Sequence, residues 1–172
     1  KRTQKVRLKM RNIFPFSVLS AVLILVSCSG NVTFSESVVI PKGLWDKDQK
    51  IEFTLKNQDT INKHALYVVL RNDNTYSFSN LYLIVGMQSP DGLEFRDTLE
   101  YEMADARGRW LGSGSTNTIE NLLGYKQNVL FSENGVYTFT ISHAMRKNGS
   151  VEGIQALPGV LDVGIQIEKN DE

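Results

Sequence analysis

The tetrapeptide Leu25-Val26-Ser27-Cys28 closes a short apolar run and holds the only cysteine in the chain. Upstream, Lys1, Arg2, Lys5, Arg7, Lys9 and Arg11 stand without a single acid, and the residues from Ile13 to Val26 are uncharged. A basic lead followed by an apolar stretch is the opening of a secretory signal. At ~1.5 Å per residue the run spans roughly 21 Å as a helix, short of the ~30 Å hydrocarbon core that a permanent span must cross. It starts export and does not stay. Small Ser27 before the break, Val26 and Leu25 before it, and a thiol directly after it are what a lipoprotein signal peptidase requires. Residues 1–27 are therefore read as a removed signal peptide, and Cys28 as the site of lipidation. A diacylglycerol thioether there, with a further acyl chain on the freed amine, buries enough methylenes at ~0.8 kcal/mol each to anchor the chain permanently. Met10 offers an internal initiator that would leave a shorter but complete signal.

That anchor sets the terms for the rest. Of 172 residues, 145 follow the signal, one domain's worth of chain. With Cys28 lipidated the domain has no thiol left for a disulfide, so it must rely on its core in an oxidising compartment. The signal takes six of the 19 basic residues and none of the 19 acids, leaving 13 against 19, a net charge of −6. Such a domain is a poor partner for nucleic acid, which asks for clustered Lys and Arg. It is also a poor electrostatic binder of anionic headgroups, so membrane contact is expected through the acyl chains.

Residues 28–36 are small, polar and mixed, and are read as the lipidated N-terminus and a flexible tether. No acidic run follows Cys28, which leans the expected location toward the periplasmic face of an outer membrane. Residues 37–170 then read as one β domain. Apolar residues alternate or cluster in short runs bounded by Gly, Pro, Asn and Asp, the signature of strands and turns. Strands are expected at Ser37–Pro41, Gln49–Lys56, His64–Arg71, Leu81–Gln88, Glu94–Met103, Asn128–Phe131, Gly135–Ala144 and Val160–Lys169. His64–Arg71 is nearly continuous in apolar residues and is read as buried on both faces. Ser89-Pro90-Asp91-Gly92 and Asp105-Ala106-Arg107-Gly108 read as turns. Gly112–Asn117 is read as an exposed mobile loop, Thr118–Gln127 has no clear period, and Val151–Leu157 reads as one or two helical turns. About eight short strands without a strong helical period predict an all-β fold, an antiparallel β-sandwich of jelly-roll or immunoglobulin-like kind.

Three stretches carry a resemblance: Leu70-Arg71-Asn72-Asp73-Asn74-Thr75-Tyr76-Ser77-Phe78-Ser79-Asn80-Leu81, Asp97-Thr98-Leu99-Glu100-Tyr101-Glu102-Met103-Ala104-Asp105, and His143-Ala144-Met145-Arg146-Lys147-Asn148-Gly149. With Gly159-Val160-Leu161-Asp162-Val163-Gly164 and the lipid box in front, the chain resembles the gliding-motility lipoprotein GldH family over nearly its whole mature length. The resemblance implies a cell-envelope lipoprotein needed for a gliding machinery that is linked to protein secretion. It implies no catalytic residues, so the expected partners are other gliding or secretion proteins and the membrane.

The residues themselves agree. His64 and His143 are the only histidines and have no second ligand at metal-binding spacing, so no metal is expected. With Cys28 carrying lipid, a Cys-His nucleophile is excluded, and Gly112-Ser113-Gly114-Ser115 lacks the strand-to-helix setting of a nucleophile elbow. Asp97, Glu100, Glu102 and Asp105 read first as a solvated strand face and only second as a glycosidase pair or calcium site. No enzyme and no cofactor beyond the covalent lipid is expected. Trp45, Trp110, Tyr76, Tyr82, Tyr101 and Tyr125 suggest an alternative, a glycan-stacking platform on the sandwich, although a core also needs aromatics. Contact with a partner or a glycan is placed on Trp110 and its neighbour Arg109, on Tyr125, and on the basic tip Arg146-Lys147.

Overall fold

The structure is a computed structural model that describes residues 31–115 and 117–170; the expected signal peptide and Cys28 lie outside the described residues. Strands follow in the order β1 (Val32–Val39), β2 (Leu44–Asp46), β3 (Ile51–Asn57), β4 (Lys63–Asn72), β5 (Asn80–Gln88), β6 (Glu94–Glu102), β7 (Ser113–Ser115), β8 (Thr118–Leu130), β9 (Gly135–His143), β10 (Ala156–Pro158) and β11 (Val160–Lys169). One sheet runs β1-β11-β4-β8-β7 and the second β3-β9-β5-β6, while β10 and β2 form a small ribbon. Every pairing is antiparallel. The chain is an all-β antiparallel sandwich, as its alternation predicts.

Period-two burial explains why these segments are strands. In β3, Ile51 and Phe53 turn inward while Glu52 and Thr54 face water. Leu66, Val68 and Leu70 of β4 and Val163, Ile165 and Ile167 of β11 make one inner face. Leu81, Leu83 and Val85 of β5 and Tyr137, Phe139 and Ile141 of β9 make the other. These side chains form one core.

Several boundaries differ from the sequence reading, each for a physical reason. The first strand begins at Val32, inside the stretch read as tether, because Val32–Val39 pairs with β11 along the edge of the sheet. β4 is covered on one face only: Tyr67 and Val69 are half-buried, so its apolar run reflects one buried row and one partly exposed row. The Gly-rich stretch read as a mobile loop contains β7, which pairs with Thr118–Glu120. Its glycines serve close approach: a Cβ on Gly114 would lie 2.1 Å from the Thr118 carbonyl oxygen. Residues 151–157 form no helix, and Ala156–Pro158 instead pairs with Leu44–Asp46.

The stretch with no clear period lies in β8, the longest strand, and its pattern is hidden twice over. Its inward row includes the buried amide Asn121, and its outward row includes the exposed Leu122. Register shifts against β4 between His64 and Leu66 and between Leu66 and Tyr67 then move the alternation out of step.

The connectivity gives the sandwich two distinct ends. Val32, Lys63, Leu130 and Lys169 lie at one, where the Lys169 N–H donates to the Asn31 carbonyl and the Asn170 N–H to the Lys63 carbonyl. The β3–β4, β5–β6 and β8–β9 connections close this proximal end. The β4–β5, β6–β7 and β9–β10 connections lie at the distal end.

Candidate functional site

Four of the five contact residues read from the sequence, Arg109, Trp110, Arg146 and Lys147, come to the distal end, in the connections after β6 and β9. The connection after β4 sets the geometry. Asp73 accepts the Thr75 N–H at 2.8 Å, closing the Asx turn that Asn and Asp residues favour. The chain then drives Tyr76 into the core, where its hydroxyl donates to the Asn80 carbonyl at 2.7 Å and burial pushes its pKa up. The Tyr76 ring meets Phe78 at 5.8 Å and Trp110 at 6.2 Å. Trp110 is half-buried and held in place by a backbone bridge to Ala104.

Phe78 also lines a hollow of about 540 Å³ together with Ile154, Pro158, Lys147, Glu152 and Gln155. Lys147 sits on a tight tip: the Ser150 N–H donates to its carbonyl at 3.0 Å, and Arg146 bridges Gly153. At the same end Trp45 and His143 pack together in the core. Trp45 is fully buried, its indole N–H donates to Gln49 at 3.1 Å, and its ring meets His143 edge-on at 5.3 Å. His143 holds its Nε2 3.1 Å from the Trp45 carbonyl and accepts the Met145 N–H at Nδ1, an arrangement of the neutral imidazole. Burial accordingly holds its pKa below the ordinary histidine value.

Arg109 is committed locally: its guanidinium grips Asp105 at 2.7 Å while the same carboxylate accepts the backbone N–H of Arg107 and Arg109. Those bonds hold the Asp105 carboxyl below its usual value. Trp110 thus ends the aromatic row, Lys147 lines the hollow that Phe78 also lines, and Arg109 braces the turn beside Trp110.

Tyr125 lies elsewhere, on the side of the sandwich where β6 and β8 meet. Its hydroxyl donates to Asp97 at 3.0 Å, and Lys126 Nζ lies 2.7 Å from the same carboxylate and 5.0 Å from the Tyr125 ring centre. Two consecutive residues reach one acid because β8 is bulged there. Lys126 in the first place, and Tyr125 after it, lower the Asp97 pKa. Tyr101 completes the clasp by donating to the Gly124 carbonyl at 2.8 Å, its pKa pushed up to about 12 by burial.

The other candidate groups are also engaged. Glu100 accepts from Asn80 and Tyr82 on the outer face of β6. Asn72 is buried and accepts from Asn121, which also donates to Leu70. The six aromatic residues read as a glycan platform are dispersed: Trp45 and Tyr76 are buried, Trp110 rests on Tyr76, Tyr101 and Tyr125 hold the side clasp, and Tyr82 lies beside Glu100. Among the described residues no three His, Cys, Asp or Glu side chains gather as a metal site. Sequence reasoning passed over Phe78 and Ile154. The alternation Tyr76-Ser77-Phe78 directly after a turn is the signal that marks the first of them.

A hollow that mixes apolar Phe78, Ile154 and Pro158 with polar Ser77, Gln155, Lys147 and Glu152 has the composition of a protein-contact surface. A family model described as GldH lipoprotein matches residues 32–167. A protein of Christiangramia forsetii named gliding motility lipoprotein GldH homolog is 42% identical over 94% of this chain and 99% of its own. The Flavobacterium johnsoniae protein named gliding motility lipoprotein GldH is 40% identical over 90% of this chain and 95% of its own. Among solved structures, one titled as the infectious bursal disease virus Gx strain aligns with 82% of this chain at 14% identity and a TM-score of 0.32. This chain spans about a third of that one, 33%, and the similarity is too low to bear on function.

Proposed function

The chain belongs to the GldH lipoprotein family, and from that premise we propose that it is a non-enzymatic gliding-motility lipoprotein that assembles or stabilises the gliding machinery and its associated secretion apparatus. Cys28 carries the lipid that holds it to the outer membrane, with the domain facing the periplasm. The distal hollow is the docking surface for another protein of that machinery, and Trp110 and Lys147 contribute contacts at its edge.

The observation that carries this reading is the Trp110–Tyr76–Phe78 row, which runs from a braced turn to a hollow of mixed polar and apolar lining at the end remote from Asn31. Aromatic residues supported from beneath lose little freedom on binding, and such anchors dominate interface energies. A crosslinked pull-down from native membranes tests it, with Cys28→Ala as the unanchored control. Recovery of envelope motility or secretion proteins, reduced in the control, is the expected result; recovery of this protein alone would refute the assembly role.

A glycan-binding role is the second reading, favoured by one observation. The outer face of the β3-β9-β5-β6 sheet holds a trough of about 280 Å³ lined by Thr138, Thr140 and Ser142 between Lys50, Glu52 and Arg96. Gly86 keeps it open, since a Cβ there would lie 2.5 Å from the Thr140 hydroxyl oxygen. Cell-wall or surface polysaccharide in the pull-down, lost on Thr140→Val, would transfer weight to this reading.

A further inference from the structure

The proximal end, built of strand ends and the loops between them, exposes several large apolar side chains. Six of the eleven exposed large apolar side chains among the described residues, Val32, Ile61, Leu93, Phe95, Leu130 and Val136, belong to that end. Clustering of this kind marks an interaction surface, where scattered single residues would not.

The β3–β4 and β5–β6 loops are stiffened from within. Asp59 accepts the backbone N–H groups of Ile61 and Asn62 and the Asn62 side-chain amide, leaving the Ile61 side chain 86% exposed. Asp91 accepts the Leu93 N–H, and the Ser89 N–H donates to the Leu93 carbonyl, which presents the Leu93 side chain 59% exposed. The N–H groups of residues 61, 62 and 93 are therefore paired inside the loops, which lowers the cost of bringing these tips to a poorly hydrated layer.

Chain length decides what covers this end. Only Ser29 and Gly30 separate Cys28 from Asn31, so a lipid on Cys28 holds Asn31 within roughly 11 Å of the membrane surface. Asn31 is bonded to Lys169 at this same end. Both signs surround the tips, with Lys56, Lys63 and Lys169 against Asp59, Asp91, Glu94 and Glu133, so contact with the bilayer is left to the apolar side chains and not to attraction of anionic headgroups.

We propose that the proximal end docks on the bilayer that carries the lipid anchor, with Ile61 and Leu93 entering its interfacial layer. The anchor then fixes position and the loop tips fix orientation, which points the distal hollow away from the membrane. The inference rests on Cys28 being lipidated.

The mature lipidated protein has no free thiol, so single substitutions Ile61→Cys, Leu93→Cys, Val39→Cys and Val151→Cys give unique labelling sites. Each is labelled with a polarity-sensitive dye and reconstituted on phosphatidylethanolamine–phosphatidylglycerol vesicles containing spin-labelled lipid. At Ile61 and Leu93 the expected result is a blue shift with loss of intensity to the spin label, and at Val39 and Val151 neither. Introducing Leu93→Ser should weaken the response at Ile61. Protein that floats with the vesicles while all four dyes stay in water overturns the inference alone. Dyes at Ile61 and Leu93 that become shielded only in native membranes assign the surface to a protein partner, and also overturn it. Protein that fails to float has no anchor, which overturns this inference and the anchored function together.

Discussion

Lys169 donates its backbone N–H to the Asn31 carbonyl at 2.8 Å, which fixes the lead-in from Cys28 to one end of the sandwich. The last strand and the first described residue are thereby locked together, and the aromatic row is left at the opposite end.

Gly159 is the tightest point of the distal corner. It has φ +83°, and a Cβ on it would lie 2.1 Å from the Tyr76 backbone nitrogen. Its carbonyl also accepts the Asp73 N–H at 2.9 Å. Gly159→Ala is expected to destabilise the fold by more than about 1 kcal/mol, and to loosen Tyr76 beneath Trp110. Thermal unfolding with tryptophan fluorescence checks both, and an unchanged midpoint would refute the packing described.

Arg71 and Asp162 face one another across β4 and β11, with the Arg71 Nε 2.7 Å from Asp162 Oδ2. Asp162 is buried while Arg71 is partly exposed, so Arg71→Met strands a buried carboxylate. The expected cost is about 1–3 kcal/mol in denaturant unfolding. Restoration by the double change Arg71→Met with Asp162→Asn would identify the stranded charge as the cause.

His143 links stability to pH. Its pKa is depressed in the fold, chiefly by burial, against a smaller opposing effect of the Trp45 carbonyl and Asp46. The unfolded chain therefore takes up the proton first, so the contribution is complete above the unfolded value of about 6.5 and is lost as pH falls below it. Unfolding free energy should decline between about pH 6.5 and pH 5, and His143→Gln should flatten that slope. A slope unaltered in the variant would contradict the neutral buried imidazole.

The β6–β8 clasp should matter little to global stability. Lys126, Tyr125 and Asp97 are each partly exposed, so Lys126→Met should cost no more than about 1 kcal/mol, with the difference shrinking in high salt. Faster hydrogen exchange along Gly124–Gln127 is the local signature to look for. Loss of exchange protection throughout the core would mean that the clasp holds the sheets together.

The sandwich was legible where apolar residues fall at period two, as in β3 and the Val163, Ile165 and Ile167 row of β11, and where they run densely between turn residues, as in β5. Legibility failed in β8, where Asn121 faces inward, Leu122 outward, and two register shifts break the count. It failed again at Gly112 and Gly114, whose lack of a side chain signals close backbone approach as readily as mobility. Trp110 and the Arg146-Lys147 tip were picked out from residue type alone. Their convergence at the distal end depends on which connections share an end, and that is a property of topology. Phe78 and Ile154 gain their role only from lining the same hollow.

Photo-crosslinking in cells reads directly whether the distal end meets a partner protein. A photo-crosslinking residue is placed at Lys147, beside the hollow, and in a second strain at Leu122, on an exposed position of β8. Irradiation of living cells should give a discrete adduct with an envelope protein from Lys147, none from Leu122, and a weaker one from Lys147 when Trp110→Ala is added. Adducts from both positions alike, or from Leu122 alone, would contradict the account.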